Sequence, residues 1–279
     1  MVRVGVHVSI AGSVDLAVDR AKKAGCDVFQ MFSRNPRGWG FLPLSKESCE
    51  TFRSKIHSNN LLPVDHMPYL PNLASPKSDI YDKSVAALTS ELERCSLLGI
   101  PYLVTHLGHH LGDGIAGGRE RVVRAINAAL EASDNSVILL LENTAGEKNS
   151  VGSTFEHIRG IMDGMNYQNR IGICFDTCHA FAAGYELRTE SGIRETLKQF
   201  DNSIGLNHLK MIHLNDTKGD LGSHLDRHEH IGMGYLGEGA FRLILHHPVL
   251  STLPFICETP VDERRDDVGN IEKVRELSR

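Results

Sequence analysis

No run of about 18 apolar residues occurs anywhere in the chain, so no membrane span is expected. The opening MVRVGVHVSIAG alternates like a strand and lacks the basic-then-apolar layout of a secretory leader, which makes a cytoplasmic location the expectation. Cysteine is sparse. Cys26, Cys49, Cys95, Cys174, Cys178 and Cys257 never fall in a CxxC pair, which excludes a zinc knuckle and points to reduced, buried thiols. Basic charge is also short: the formal net charge is -5, whereas binding to a phosphate backbone ordinarily calls for a basic surface. Linkers, repeats and low-complexity tracts are absent too, so residues 1–279 are expected to form a single domain. Without coiled-coil patterning, a monomer is expected. The one excess is histidine, at fifteen residues.

Eight segments read as strands by apolar and β-branched enrichment: 2–8, 26–32, 61–66, 101–106, 137–142, 171–176, 209–214 and 254–258. Several are continuous apolar runs, as parallel strands covered on both faces should be. Helical periodicity fills most of the intervals. Residues 79–98 carry a stripe of Tyr81, Val85, Leu88, Leu92 and Cys95, and residues 119–132 carry Val122, Ala125, Ile126, Ala129 and Leu130. Weaker helical patterns cover 13–24, 46–58 and 239–247, and Ser153-Thr-Phe-Glu156 reads as a capping box. One long loop, 215–237, is rich in Gly, His and Asp. Eightfold alternation of strand and helix over this length predicts an α/β fold of (β/α)8 TIM-barrel type, with the site at the C-terminal ends of the strands.

The strand ends carry the chemistry. Strand three ends in His66, four in His106, five in Glu142 and six in Asp176, while seven carries His213 near its end and eight ends in Glu258. Parallel strands bring these distant residues onto one face. A single strand-end His or Asp is ordinarily a cap or a loop hydrogen bond, but six in succession form a ligand set. Clustered carboxylates also need cations to neutralise them. His179 follows Asp176 in FDTCH, and Asp226 and His228 sit two apart in LDRHEH. Imidazole and carboxylate donors without thiolate suit zinc or manganese in a site that keeps an open water position. His57, His157, His246 and His247 lie away from the strand ends, and packing or surface roles are expected for them. Gly232-x-Gly234-x-x-Gly237 fits the dinucleotide fingerprint only as a string, because no strand runs into it.

The segments HMPYLPNLA (66–74), GICFDTCH (172–179) and HLNDTKGDLGSHLDRH (213–228), with ENTAG (142–146) and GVHVSIAG (5–12), resemble the endonuclease IV family of apurinic/apyrimidinic endonucleases. The resemblance implies a (β/α)8 barrel holding three Zn²⁺, with Mn²⁺ or Fe²⁺ as alternatives at some positions. His66, His106 and Glu142 would hold the first ion. Glu142 would bridge to a second held by Asp176, His213 and Glu258, and His179, Asp226 and His228 would hold the third. The implied activity is base-excision repair: hydrolysis of the phosphodiester 5′ to an abasic site in double-stranded DNA, with 3′-end trimming as a second activity. Phosphodiester hydrolysis needs a nucleophile at neutral pH and charge relief on the phosphoryl oxygens, which a metal pair supplies. Glu142 and Glu258 would be the catalytic carboxylates. Three Zn²⁺ add +6 to the formal -5 and leave the loaded chain at +1, so the acidic composition no longer argues against DNA.

By the same resemblance Arg37, Tyr69 and Leu70 would enter the minor groove and fill the space of the missing base, and Arg227 would contact DNA from the 215–237 loop. Arg37 lies in SRNPRGWG (33–40), which also offers Arg34 and Trp39. Pro68 and Pro71 flank Tyr69-Leu70, a departure from the family pattern, as are Phe175 and Thr217. The chief alternative is a metal-dependent sugar isomerase or epimerase of the xylose-isomerase-like barrel type, which has no need of the Asp226-x-His228 cluster. A second is a silent DNA-damage binder, against which the intact ligand set argues.

Overall fold

The computed structural model describes residues 2–279. Its strands are β1 (Arg3–Val6), β2 (Val28–Met31), β3 (Leu62–His66), β4 (Tyr102–Thr105), β5 (Ile138–Glu142), β6 (Ile171–Asp176), β7 (Leu209–His213), β8 (Asp216–Thr217), β9 (His228–Glu229) and β10 (Pro254–Cys257). All but β8 and β9 make one parallel sheet, in the order β1-β10-β7-β6-β5-β4-β3-β2. β1 and β2 close the ring through a parallel bridge between His7 and Gln30. Asp27 N–H donates to Val4 O (2.9 Å) and Val8 N–H to Gln30 O (2.7 Å) across the same seam. The expected (β/α)8 barrel is the fold of the chain.

Around it run α1 (Leu16–Ala24), α2 (Lys46–Ser58), α3 (Ser78–Leu98), α4 (Ile115–Ala132), α5 (Phe155–Met162), α6 (Thr177–Ala183), α7 (Glu190–Ser203), α8 (Gly237–His246) and α9 (Asp267–Leu277). The stripes over 79–98 and 119–132 are the inner faces of α3 and α4, which bury Leu88, Leu92 and Cys95, and Val122, Ile126 and Leu130. α6, α7 and α9 are additions to the expected helices. α7 is mostly polar and buries only Ile193, Thr196, Leu197 and Phe200, a stripe too narrow to stand out. The cap of α5 is Thr154 rather than Ser153: its hydroxyl accepts the His157 N–H at 3.2 Å. The 215–237 segment is not all loop, because β8 and β9 pair antiparallel across it. No helix among the described residues is long and apolar enough to cross a membrane.

Two buried layers inside the barrel position the site. Val28, Val64, Val104, Leu140, Cys174, Met211 and Ile256 form an apolar plug, one side chain from each barrel strand except β1. β1 supplies Gly5, in register with Ile256, where a Cβ would stand 1.6 Å from the Val28 carbonyl oxygen. Only glycine lets β1 approach β2 that closely. Side chains alternate along a strand, so the residue two positions further on faces the same interior, one layer higher. Those positions are His7, Gln30, His66, His106, Glu142, Asp176, His213 and Glu258. The polar ring is thus the next storey above the plug, at the C-terminal mouth.

Candidate metal centre

The ring gathers the six strand-end residues expected from the sequence. His106 and Glu258 stand one residue beyond the last strand residues, Thr105 and Cys257, rather than within the strands. Glu142, fully buried, is the hub. One carboxylate oxygen lies 2.9 Å from His106 Nε2 and 3.3 Å from His66 Nε2; the other lies 3.0 Å from His213 Nδ1. Glu258 comes within 3.2 Å of His213 Nδ1, and Asp176 within 3.9 Å. Outside the ring, His179 Nε2 faces Asp226 at 3.3 Å, with His228 Nε2 3.7 Å from the same oxygen. Three sets result: His66, His106 and Glu142; Glu142, Asp176, His213 and Glu258; and His179, Asp226 and His228. Within each, one donor atom per residue lies within 4.8 Å of the others.

The local chain explains why these donors point inward. Asp176 closes β6 and caps α6, accepting the His179 N–H at 2.7 Å, so one carboxylate both starts the helix and fixes the next donor. Three imidazoles have Nδ1 committed to backbone carbonyls: His66 to Met67 O (2.7 Å), His179 to Asn143 O (2.9 Å) and His228 to Glu258 O (3.0 Å). Those bonds place a proton on Nδ1 and turn Nε2 toward the carboxylates, the position a metal would take. His213 is the reverse case. Its Nε2 donates to Gln30 Oε1 at 2.8 Å, and Nδ1 faces Glu142 and Glu258. His228 Nε2 is buried with no hydrogen-bond partner at all.

Four carboxylates in one mouth demand positive charge. Burial pushes Glu142 up, but His106 and His213 hold it well below the usual carboxylate range. Burial likewise opposes, and His213 achieves, the descent of Glu258 to about 2. Asp226 is held to about 2, chiefly by its hydrogen bond with His179. The histidines shift the other way. Burial pulls His179 and His213 down, yet Asp176, Asp226 and Glu142 on the first, and Cys174, Glu258 and Glu142 on the second, raise both well above the ordinary imidazole value. In the metal-free chain these imidazoles must carry protons to offset the carboxylates, and a divalent cation replaces those protons with a shared charge. The orphaned His228 nitrogen, the Nε2 atoms turned toward the carboxylates and the mixed imidazole–carboxylate donors all fit zinc. Cys178 also approaches Asp176 and His228. Burial pushes its thiol up to about 12, so it is a poor competitor as a thiolate ligand.

Several supporting groups go beyond the expected set. Gln30 ties the ring together, donating to Glu258 (2.6 Å) and accepting from His213, with His7 Nδ1 3.2 Å away. Asn215 donates to Asp176 Oδ2 (2.6 Å) and accepts the Glu258 N–H (2.7 Å). Asn143 accepts the Asp176 N–H (2.8 Å) and donates to Asp176 O (3.1 Å). The period-two step from Gly5 and Val28 would have found His7 and Gln30. Nothing in the sequence signals the asparagines beyond their place after strand ends. The glycines at 232, 234 and 237 have a purpose of their own: the N–H groups of Gly234, Leu236 and Gly237 converge on the buried Asp216 carboxylate at 2.9–3.2 Å, with Thr217 N–H at 2.8 Å. This internal anion occupies the loop that resembled a dinucleotide cradle.

The four residues expected as DNA contacts are all exposed, on loops of this same mouth. Arg37 follows β2, Tyr69 and Leu70 follow β3, and Arg227 immediately precedes β9. Tyr69 is 69% exposed, and its ring packs edge-on against Phe32 (5.2 Å), which in turn meets His66 (5.8 Å). Tyr69 therefore stands directly beside the ligand ring. Arg34 is different: it is buried in an ion pair with Glu91, which also accepts from Ser33 Oγ, beneath Phe41. It secures the loop and faces no solvent.

The chain matches the profile of the family described as "Xylose isomerase-like TIM barrel" over residues 18–279. Fold and ring together define a barrel of that class with histidine and carboxylate ligands at its C-terminal mouth. The chain is 63% identical to "Probable endonuclease 4" of Methanoculleus marisnigri, spanning 100% of this chain and 99% of that protein. The crystal structure of endonuclease IV from Thermus thermophilus aligns with a TM-score of 0.88 at 36% identity, covering 99% of this chain and 98% of that one. The chain belongs to the endonuclease IV family. A D-tagatose 3-epimerase-like protein aligns with a TM-score of 0.74 at 19% identity, covering 99% of this chain and 96% of that one, a likeness of fold alone.

Proposed function

We propose that the chain is a metal-dependent DNA-repair endonuclease that hydrolyses the phosphodiester 5′ to an abasic site in duplex DNA and also trims 3′ ends. The products are a 3′-hydroxyl and a 5′-deoxyribose phosphate. The observation that carries this reading is the third donor set, His179, Asp226 and His228, which lies beside the ring and has no use in a one- or two-metal sugar isomerase. His66, His106 and Glu142 would hold one Zn²⁺, Glu142, Asp176, His213 and Glu258 a second, and the outer set a third; Mn²⁺ or Fe²⁺ also suit such donors at some positions. When bound, these ions supply Lewis acidity toward the phosphoryl oxygens and acidify water.

The chain's own groups do the rest. Glu142, with one oxygen toward His66 and His106 and the other toward His213, spans two sets and keeps them in register. Glu258 has Oε1 held by Gln30 and its N–H held by Asn215, so Oε2 is fixed at the mouth, where it can orient an attacking water. Arg37, Tyr69 and Leu70 reach into the minor groove, and the site gains selectivity because a nucleotide without a partner costs least to extrude. Arg227 contacts DNA from the 215–237 segment that carries the outer set.

A duplex bearing one tetrahydrofuran abasic analogue tests this. Metal-loaded enzyme should nick it once, 5′ to the lesion, leaving a 3′-hydroxyl, and strong chelator should stop the cut. Failure of the loaded enzyme to nick, or conversion of a ketose to its epimer instead, would refute the reading. Arg37→Ala and Tyr69→Ala should each weaken the preference for abasic over intact duplex.

A further inference from the structure

Among the described residues, four non-glycine residues have positive φ: Asn60, Leu111, Asn149 and His224. Asparagine and histidine tolerate the left-handed region comparatively well, whereas leucine does not. Leu111 is therefore the outlier, at φ 52°. It lies on the loop between His106 and α4 and is 49% exposed. The loop makes a tight turn over residues 110–113. Asp113 N–H donates to His110 O at 3.0 Å, and Gly112, at φ 98°, follows Leu111. Two successive positive φ angles under such a bond define a type I′ turn, whose first central position calls for Asn, Asp or Gly. Leucine is the wrong residue for the backbone.

The turn is also held firmly. His110 Nδ1 accepts from Gly112 N–H (3.2 Å) and Gly114 N–H (3.0 Å), and His110 N–H donates to Asn149 O (2.9 Å). Asp113 pairs with Arg121 at 2.7 Å. One residue earlier, the His109 imidazole faces Glu147 at 3.2 Å, and its backbone N–H and C=O both bond the Asn72 side chain, tying the loop to the one that carries Tyr69 and Leu70. A half-exposed aliphatic side chain is thus fixed in a strained conformation on the rim that holds the ligand ring. Strain of that kind persists where the surroundings over-determine it and is found where a side chain serves function.

We infer that Leu111 is a further apolar contact of the enzyme with its DNA substrate, docking on the sugar edges of the groove beside the lesion and sharpening selection for a site where a base is missing. This rests on the reading of the chain as an abasic-site nuclease. Leu70, on the neighbouring tied loop, is also exposed and apolar, so the two leucines would act as paired apolar contacts.

The test uses metal-loaded enzyme and the tetrahydrofuran duplex, with Leu111→Asn and Leu111→Gly, both suited to a type I′ turn. Each variant should melt at or above the wild-type temperature and keep kcat within about twofold. KM for the abasic duplex should rise roughly fivefold, the worth of burying the exposed half of a leucine. An unchanged KM overturns the inference, and so does a lower melting temperature in both variants, because the leucine is then held for the fold. Wild-type enzyme that fails to nick at all refutes the nuclease reading instead, so the two failures are distinguishable.

Discussion

Asn215→Ala probes how far the metal centre depends on groups that are not ligands. Asn215 is fully buried just past the end of β7 and joins Asp176 and Glu258, two residues of the middle set. Its amide donates to Asp176 Oδ2 at 2.6 Å, and its carbonyl oxygen accepts the Glu258 N–H at 2.7 Å. The first bond is to a charged group and the second to a neutral donor, so their loss together costs about 3 kcal/mol. For a chain of this size that lowers the melting temperature by about 5 °C. The consequence for metal is sharper, because both carboxylates lose their orientation: affinity at the middle set should fall about 10–100-fold. Asn215→Asp separates the two bonds. It keeps an acceptor for Glu258 N–H but sets an oxygen against Asp176 Oδ2, and in the metal-free protein it should melt below the alanine variant. Calorimetry of metal-free protein, followed by zinc titration against a competing chelator, measures both quantities. Asn215→Ala with wild-type melting and a wild-type zinc isotherm would refute the idea that these bonds aim the ligands.

Arg34→Ala removes one partner of the buried ion pair with Glu91; it should cost about 3–5 kcal/mol and, by loosening the loop that carries Arg37, raise KM more than it lowers kcat. A melting temperature within a degree of wild type would contradict this. Asp216→Ala strands four backbone N–H groups that converge on its carboxylate, so about 3 kcal/mol or more should be lost, and metal content should fall by one equivalent from the His179–Asp226–His228 set. An even loss across all sets would mean the loop is not held from there. His7 predicts a pH effect. Burial, against the opposing pull of Glu258, lowers its imidazole from 6.5 to about 4. A histidine that is harder to protonate when folded contributes stability that is complete above the unfolded value of 6.5 and is lost as pH falls toward 4. Metal-free His7→Gln should therefore lose less melting temperature between about pH 7 and pH 5 than wild type does, and an equal loss in both would exclude His7 as the source.

The barrel is legible in the sequence because parallel strands covered on both faces are apolar throughout, and six of them run into a His, Asp or Glu. The same regularity reaches further. Counting two residues on from Gly5 and Val28 gives His7 and Gln30, which complete the ring that begins at His66. Those two do not stand out by themselves, because a glutamine after an apolar run has no distinctive pattern. Arg34 and Arg37 are alike on the page, three residues apart in one polar loop. Only Glu91, from the middle of α3, separates a buried brace from an exposed cation. Asn143 and Asn215 act through contacts between loops that no local pattern encodes. The helices α7 and α9 are hard to read because each buries a narrow stripe on an otherwise charged face.

The most direct test of the account is the number of divalent ions per chain in enzyme that nicks the tetrahydrofuran duplex, with anomalous scattering to locate them. Close to three zinc equivalents are expected, at the Glu142–His66–His106, Glu142–Asp176–His213–Glu258 and His179–Asp226–His228 sets. Strand cutting should disappear as they are stripped. An active enzyme carrying no metal at the outer set, or one that still cuts with all three sets empty, would contradict it.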